Sequence, residues 1–270
     1  MITGKTKIYA IIADPVAQVR TPEVFNALFE RQQIDAVLVP VHVPKEGLEA
    51  LINGFRMLKN LGGFIVTVPH KKAVATLCDE VGEAGQMVGA VNAVRREKDG
   101  RLIGNMFDGA GFVAGLKSQG YDPAGLRVLL LGAGGAGGAI ALSLAEAGVA
   151  SLTIANRTPD KAEGVMNRIV KLYPALTIRM GAPDPHGHDL IINATSLGMR
   201  EEDPLPIDPR LLTPHMLVAE IIMKPEITPL LAAAKNQGCD VHYGRHMLDQ
   251  QIQLMSNFIG ATAFEGQTLE

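Results

Sequence analysis

The chain has 270 residues, about 1.8 times the roughly 150 residues of an average domain, which predicts two domains. Its apolar fraction of 47% and charged fraction of 20% are typical of a globular protein with a substantial core. A net charge of −3 argues against a nucleic-acid partner, and two cysteines cannot build a disulfide framework, so we expect a cytoplasmic protein.

Strands and helices alternate through the first hundred residues. A helix is predicted from Thr21, with Thr21 as the N-cap and Pro22 in the first turn, and another over Lys45–Asn60. The alternation predicts a mostly parallel sheet. The strands of that sheet are expected at Lys7–Ile12, Ala36–Val41 and Gly63–Val68.

A second alternating region follows a linking helix predicted at Phe112–Gln119. Its strands are expected at Arg127–Leu131, Ser151–Ala155, Leu190–Asn193, Val218–Met223 and Asp240–Tyr243, before a last helix at Met247–Ile259. The fold class is therefore α/β, with an N-terminal substrate-binding domain at 1–108 and a Rossmann-type doubly wound domain at 109–245. The segment 246–270 is expected to return to the first domain and to end in a short, frayed tail over Ala261–Glu270.

A glycine cluster between a strand and a helix predicts a dinucleotide-binding site. The matching residues are Gly132, Ala133, Gly134, Gly135, Ala136 and Gly137, in the pattern G-x-G-x-x-G. The glycines allow a tight turn and a close approach of the backbone to a pyrophosphate at the helix N-terminus. The alternative is a glycine turn without a ligand. The strand–turn–helix reading also explains the uncharged run Val128–Ala145, so we expect no membrane span.

The residues after the second strand of this domain bear on the choice between NAD and NADP. A neutral Asn156 followed by Arg157 favours the 2′-phosphate of NADP, although Arg157 could also stack on the adenine of either cofactor. Thr158 and Lys161 are further candidate cofactor-binding residues in the same segment. Asp160 favours NAD, because a nearby carboxylate repels a phosphate. The charges leave the choice open.

Several further motifs occur in order around this cluster. They are Val66–Lys71 (V-T-V-P-H-K), Gly89–Asn92 (G-A-V-N), Asp108-Gly109, Asn193–Gly198 (N-A-T-S-L-G) and Met247–Gln251 (M-L-x-x-Q). Together they resemble the shikimate dehydrogenase family over nearly the whole chain. That resemblance implies two α/β domains, an NAD or NADP cofactor, a cyclic hydroxy acid as substrate, and a role in aromatic amino acid biosynthesis.

The resemblance also implies roles for individual residues. Lys71 and Asp108 are the expected catalytic acid–base pair. Thr67, Asn92 and Gln251 match substrate-binding positions. Asn193, Thr195, Ser196 and Met223 lie in segments expected beside the nicotinamide half of the cofactor.

Departures from the family concentrate on substrate recognition. The usual H-S-x-S-P segment, which grips the substrate carboxylate, is replaced by one with Val19 and Thr21 at the serine positions. Thr21 keeps a hydroxyl, and Arg20 either pairs with a carboxylate or points to solvent. Ile65 and Met223 replace usual polar residues. We therefore expect retained chemistry with an altered pocket, and weak shikimate activity or a related cyclic hydroxy acid as the true substrate.

Other functions and sites stay open or are disfavoured. A non-catalytic dinucleotide-binding regulator and a quinate dehydrogenase are the alternatives, and a homodimer is compatible with the sequence. His186 and His188 lie in a Pro/Gly segment that is expected to be a solvated loop, and His242 and His246 are separated by Gly244. We expect no metal site at either pair.

Overall fold

A computed structural model describes residues 2–17 and 19–262, so most of the predicted frayed tail lies outside the described residues. The chain divides into two compact units. Unit 1 is the described part of Met1–Phe107 and Ile252–Glu270, and unit 2 is Asp108–Gln251. The fold class is α/β, with a sheet in each unit.

Unit 1 contains a six-stranded sheet in the order β2-β1-β3-β5-β6-β4. The strand β1 pairs in parallel with β2 and β3, whereas β5 pairs antiparallel with β3 and β6. The last three strands and their antiparallel pairings were not predicted, since each is only two to four residues long. The strands are β1 (Lys7–Ala13), β2 (Ala36–His42), β3 (Leu61–Val66), β4 (Glu80–Val81), β5 (Ala93–Arg96) and β6 (Leu102–Asn105).

The helices of unit 1 cover one core of branched aliphatic and aromatic side chains. Ile12, Phe64 and Leu102 from the sheet pack with Ile52 and Phe55 from the second helix, and all five are buried. The burial of such side chains is the main favourable term in folding. The helices are α1 (Thr21–Arg31), α2 (Leu48–Met57), α3 (Lys71–Leu77) and α4 (Glu83–Val88).

The sheet of unit 2 has six parallel strands in the order β12-β11-β10-β7-β8-β9. Counted from β7, this is the order 3-2-1-4-5-6 of a doubly wound dinucleotide-binding fold. The order reverses between β7 and β10, and ligands bind at the carboxyl ends of the strands at that switch point. The strands are β7 (Arg127–Leu131), β8 (Ser151–Ala155), β9 (Thr177–Met180), β10 (Leu190–Asn193), β11 (Leu217–Glu220) and β12 (Asp240–His242).

The helices of unit 2 lie beside this sheet, and the last one runs from unit 2 into unit 1. One core cluster joins Leu129, Ile191 and Val218 of the sheet with Leu230 and Leu231 of the following helix. The helices are α5 (Asp108–Ser118), α6 (Gly135–Glu146), α7 (Pro159–Leu172), α8 (Pro229–Asn236) and α9 (Gly244–Phe258). None of the described helices is long and apolar enough to cross a bilayer.

Several predicted element boundaries differ from the structure, and β9 was not predicted. The strand expected at Val218–Met223 ends at Glu220, and the helix expected from Met247 begins at Gly244. Thr21 is the first residue of α1, and Arg20 occupies the N-cap position without a side-chain capping bond. The helix predicted over Lys45–Asn60 is a 3₁₀ turn, Lys45–Gly47, followed by α2. The linking helix begins at Asp108, four residues earlier than predicted, because glycines do not show which residue starts a helix.

Candidate functional site

A cavity of about 540 Å³ opens at the switch point of unit 2. It lies at the carboxyl ends of β7, β8 and β10, as the strand order requires. Its lining comes from the glycine loop, the segment after β8 and the loop after β10, namely Gly132, Gly134, Asn156, Arg157, Thr158, Lys161, Ala194, Thr195, Ser196 and Leu197 among others. Most of the residues predicted to bind the cofactor therefore share one cavity.

The glycines of the loop divide into two pairs with different roles. Gly132 has a φ of +103°, and a Cβ on Gly137 would lie 2.2 Å from the Gly132 carbonyl oxygen, so these two let the turn and α6 pack closely. A Cβ on Gly134 or Gly135 would meet no protein atom within 4 Å. These two leave the helix N-terminus open for a pyrophosphate, which fits a dinucleotide. Ala133 is buried behind the loop, and Ala136 is half-buried in the first turn of α6.

Asn156 holds the glycine loop in place. Its Oδ1 accepts a hydrogen bond of 2.9 Å from the Ala133 N–H, and its Nδ2 donates to the Thr158 carbonyl oxygen at 2.7 Å. The side chain thus connects the end of β8 to the turn after β7. Its amide supports the cavity wall, whereas the next residue, Arg157, is exposed at the rim.

The rim beside Arg157 carries positive charge. Arg157 and Lys161 line the cavity, and Thr158 is the N-cap residue of α7. Asp160 is exposed in the first turn of α7 and is not part of the cavity lining. Two cations and no carboxylate therefore face this end of the cavity.

The loop after β10 is organised by Asn193, which is fully buried. Its Nδ2 donates to the Leu197 carbonyl oxygen at 2.9 Å, and its Oδ1 accepts from the backbone N–H of Thr195 at 3.1 Å. Thr195 Oγ1 also donates to Asn193 Oδ1 at 2.6 Å. Asn193 was predicted to bind the cofactor, but its burial leaves it the role of shaping the loop that presents Thr195 and Ser196 to the cavity.

A buried carboxylate, Glu220, stands behind this loop and was missed in the sequence analysis. Its Oε1 accepts hydrogen bonds from Asn193 Nδ2 at 2.8 Å and from Thr228 Oγ1 at 3.0 Å. Burial raises the pKa of Glu220 to about 7. The sequence feature that could have pointed to Glu220 is its position as a carboxylate at the end of the apolar strand Leu217–Glu220. Met223, three residues later, is 41% exposed and is not part of the cavity lining.

In unit 1, the predicted substrate-side residues follow β3 and precede β5. Thr67 comes directly after β3, and its N–H donates to the Ile12 carbonyl oxygen at the end of β1. Lys71 is the first residue of α3, and its carbonyl oxygen accepts from the Val91 N–H at 2.9 Å. This backbone hydrogen bond holds the start of α3, at Lys71, beside Val91, the residue that precedes Asn92.

Asn92 is buried and fixes the segment that leads to Asp108. Its Oδ1 accepts a hydrogen bond of 3.0 Å from the Phe107 N–H, and its backbone N–H donates to the Asn105 carbonyl oxygen. Its side-chain oxygen therefore bonds a residue 15 positions away. An asparagine suits this position because its amide oxygen is a strong acceptor for that N–H.

The segment with the largest departures from the family carries an exposed ion pair beside two partly buried side chains. Arg20 is exposed and pairs with Glu23 on its own helix at 3.0 Å, so its charge is balanced locally. Val19 and Thr21 are partly buried. Ile65 is buried in the core, so its substitution adds no apolar surface for a ligand, contrary to the sequence analysis.

In unit 2, Asp108 and Gln251 are partners. Gln251 Nε2 donates to Asp108 Oδ1 at 2.5 Å, and the two residues are 9% and 5% exposed, respectively. Small residues allow this contact, since a Cβ on Gly111 would lie 2.9 Å from Gln251 Cβ, and one on Gly109 would lie 2.0 Å from the Ala139 carbonyl oxygen. Gln251 was predicted to lie at a substrate-binding position, and the structure shows it buried and hydrogen-bonded to Asp108.

The two histidine pairs differ in their surroundings. No group of three or more potential metal ligands occurs among residues 2–17 and 19–262. His188 was predicted to be solvated, but it is buried, and its Nε2 lies 2.9 Å from Thr153 Oγ1 on β8. His242 and His246 lie with ring centroids 5.0 Å apart, and burial lowers the pKa of His242 to about 4.

Two family models match the chain. Residues 11–94 match the shikimate dehydrogenase substrate binding domain, and residues 116–198 match shikimate / quinate 5-dehydrogenase. A shikimate dehydrogenase (NADP(+)) of Rubrobacter xylanophilus is 40% identical over 254 residues, which are 92% of this chain and 88% of the relative.

Solved structures agree with these matches. Shikimate 5-dehydrogenase from Listeria monocytogenes, in complex with shikimate and NAD, has a TM-score of 0.90 at 30% identity and covers 98% of this chain and 95% of its own. The 5-ketofructose reductase of Gluconobacter sp. strain CHM43 has a TM-score of 0.87 at 34% identity and covers 99% of this chain and 96% of its own. The sequence identity, the strand order and the glycine cavity lead to one conclusion: this chain belongs to the shikimate dehydrogenase family.

Proposed function

We propose that the chain is an NADP-dependent oxidoreductase of shikimate dehydrogenase type. It would oxidise, reversibly, a ring hydroxyl of shikimate or of a close cyclic hydroxy acid. The observation that carries this proposal is the glycine-lined cavity at the switch point of unit 2, with Arg157 and Lys161 at its rim. The curated relatives are named NADP-dependent shikimate dehydrogenases, which supports the same activity.

The cavity fits a dinucleotide with a 2′-phosphate. Gly134 and Gly135 leave room for the pyrophosphate, and the α6 N-terminus offers its N–H groups. Arg157 and Lys161 would bind the 2′-phosphate, because charged hydrogen bonds from such donors are among the strongest in proteins. Asp160 was the argument for NAD, and its absence from the lining weakens that argument.

The chain's own acid–base chemistry would come from Lys71 and Asp108. When bound, the nicotinamide cofactor supplies the hydride chemistry at the substrate carbon. Lys71 Nζ would accept the proton of the reacting hydroxyl during oxidation and return it during reduction. Gln251 would hold the Asp108 carboxylate in a fixed orientation, through the hydrogen bond described above.

A comparison of two adjacent lysines tests this assignment. Lys71→Ala should lower kcat by a factor of about 10² to 10⁴ and leave the dissociation constant for NADPH nearly unchanged. Lys72→Ala is the control, because Lys72 is exposed on the same turn of α3. Rates should be measured with shikimate and quinate, each with NADP⁺ and NAD⁺. Equal activity of the two variants would contradict the role of Lys71, and a wild-type protein that binds NADPH but oxidises no alcohol would support a regulator.

A second candidate is the reduction of an uncharged keto sugar. The serine positions that grip a carboxylate in the family hold Val19 and Thr21, and Arg20 is already paired with Glu23. The Gluconobacter relative, named a 5-ketofructose reductase, is 34% identical. Separate steady-state assays, of shikimate oxidation with NADP⁺ and of 5-ketofructose reduction with NADPH, distinguish the two candidates. A kcat/KM for 5-ketofructose that exceeds the value for shikimate would replace the first proposal with the second.

A further inference from the structure

Glu220 lies at the carboxyl end of β11, with no solvent exposure. Its Oε1 receives hydrogen bonds from Asn193 and Thr228, both of which are also fully buried. Its other oxygen, Oε2, has no hydrogen-bond partner among the described residues. A carboxylate in this position is costly to bury, so its retention calls for a reason beyond packing.

The contact with Asn193 fixes which way that amide points. Asn193 Nδ2 faces two acceptors, Glu220 Oε1 and the Leu197 carbonyl oxygen, and Oδ1 faces the Thr195 N–H. With the amide reversed, oxygen would face oxygen at Glu220 and at Leu197. The carboxylate therefore selects the amide orientation that supports the loop after β10.

That loop forms one wall of the dinucleotide cavity, through Thr195, Ser196 and Leu197. We propose that Glu220 is a positioning residue for this wall, and that it acts through Asn193 to hold the loop in the shape that binds the cofactor. This inference rests on the proposed dinucleotide function. It extends that function to a residue that contacts the cavity only indirectly.

The protonation of Glu220 provides a readout that a purely structural role would not give. Burial is the main cause of its raised pKa of about 7, and the neutral donors Asn193 and Thr228, with the nearby backbone N–H groups of Ile222 and Ile221, offset part of that effect. Other ionisable side chains lie on each of the elements around it: in the loop after β10, Arg200, Glu201, Glu202, Asp203, Asp208, Arg210 and His215; after β11, Lys224 and Glu226; on α8, Lys235; and on β12, Asp240 and His242. Below about pH 7 the neutral carboxyl accepts a weaker bond from Asn193, so cofactor affinity should fall as the pH falls.

Glu220→Gln tests the proposal, with binding of NADPH followed by its own fluorescence in the absence of substrate. The variant keeps the shape and removes the charge. We expect the dissociation constant to rise about tenfold, the value for a weakened hydrogen bond to a charged group, while kcat at saturating cofactor changes less than about threefold. In the wild type the dissociation constant should increase as the pH falls through about 7, and in the variant it should be flat. The exposed Glu163→Gln on α7 is the matched control and should follow the wild type.

Two further variants separate positioning from stability. Thr228→Val removes the other bond to Glu220 and the cap of α8, so it should lower Tm and leave the dissociation constant for NADPH within about twofold. Asn193→Leu removes the amide through which Glu220 would act, together with its bonds to Leu197 and Thr195, so it should weaken binding at least as much as Glu220→Gln. The double variant should then be no worse than Asn193→Leu alone.

The outcomes distinguish this inference from the proposed function. A wild-type protein that fails to bind NADPH or NADH would overturn the proposed function itself. A wild type that binds NADPH, with Glu220→Gln equal to it in affinity and in pH dependence, would overturn only the role of Glu220. Additive losses in the double variant would also overturn it. If Glu220→Gln does not fold, the Asn193→Leu variant and the pH dependence of the wild type decide the question.

Discussion

The cofactor cavity of unit 2 and the strand-end segments of unit 1 are built from different parts of the chain. The cavity depends on main-chain geometry, namely a strand order, a helix N-terminus and glycines that admit close contacts. The unit 1 segments depend on individual side chains, such as Thr67, Lys71 and Asn92, each held by its own backbone bonds. A main-chain site tolerates many changes of side chain around it, whereas a side-chain site changes specificity with one substitution.

The departures from the family follow this division. The glycine pattern is intact, but Val19 and Thr21 stand at the positions of the two substrate-gripping serines. The residues expected to bind the cofactor are therefore retained, whereas the residues expected to select the substrate have changed.

The strongest test of the main-chain site is Gly137→Ala. The new Cβ would lie 2.2 Å from the Gly132 carbonyl oxygen, so the glycine turn must shift. A displacement of about 1 Å costs on the order of a hundredfold, and we expect at least that loss in NADPH affinity. Gly164→Ala on α7 is the control, because its Cβ would meet only Arg168 Nη2, at 3.6 Å. Normal NADPH binding by Gly137→Ala would show that the cavity does not depend on this close contact.

Gln251→Ala tests whether the side chain that bonds Asp108 affects the rate of the reaction rather than the binding of NADPH. Loss of the hydrogen bond to Asp108 removes about 1.5–3 kcal/mol, so kcat/KM should fall by a factor of about 10 to 150. Affinity for NADPH should stay the same. Gln253→Ala, two residues along α9 and exposed, should resemble the wild type. If both variants lose activity equally, helix stability rather than the orientation of Asp108 is responsible.

The sequence predicted the two α/β regions and the cofactor cavity well, because strand–turn–helix patterns report on the backbone. The short strands β4, β5, β6 and β9 were missed, since two to four residues carry too little periodicity. The roles of Glu220, Asn193 and Gln251 were missed or misassigned for another reason. Each depends on a partner between 27 and 143 positions away, and local patterns contain no information about such pairs.

Arg157→Ala tests the charge at the cavity rim. If Arg157 binds the 2′-phosphate, its removal should lower kcat/KM with NADP⁺ about tenfold and leave NAD⁺ kinetics nearly unchanged. Arg210→Ala is the control, because Arg210 is exposed and paired with Asp208. An equal fall in kcat/KM with NADP⁺ and NAD⁺ would instead mean that Arg157 contacts the adenosine that both cofactors share. The choice between NAD and NADP would then be open again.

The smallest effect on activity is expected from His242, a buried side chain of unit 2 outside the cavity. Both its ring nitrogens lack hydrogen-bond partners among the described residues, and burial lowers its pKa to about 4. In the unfolded chain His242 therefore takes up a proton below about pH 6.5, whereas in the folded chain it is protonated only below about pH 4. The stabilising contribution of neutral His242 is therefore fully present above about pH 6.5. The free energy of unfolding falls as the pH drops from about 6.5 to about 4, by at most about 1.4 kcal/mol per pH unit.

His242→Leu removes this proton linkage while keeping an apolar side chain against Phe112. Its free energy of unfolding, measured by urea denaturation between about pH 4 and 7, should depend less steeply on pH than that of the wild type, with activity at neutral pH unchanged. His186→Leu in an exposed loop is the matched control and should keep the wild-type slope. If the free energy of unfolding depends on pH equally in wild type and His242→Leu, the folded chain accepts a proton on His242 without unfolding. The structure around β12 would then deform more readily than the structure around the cavity.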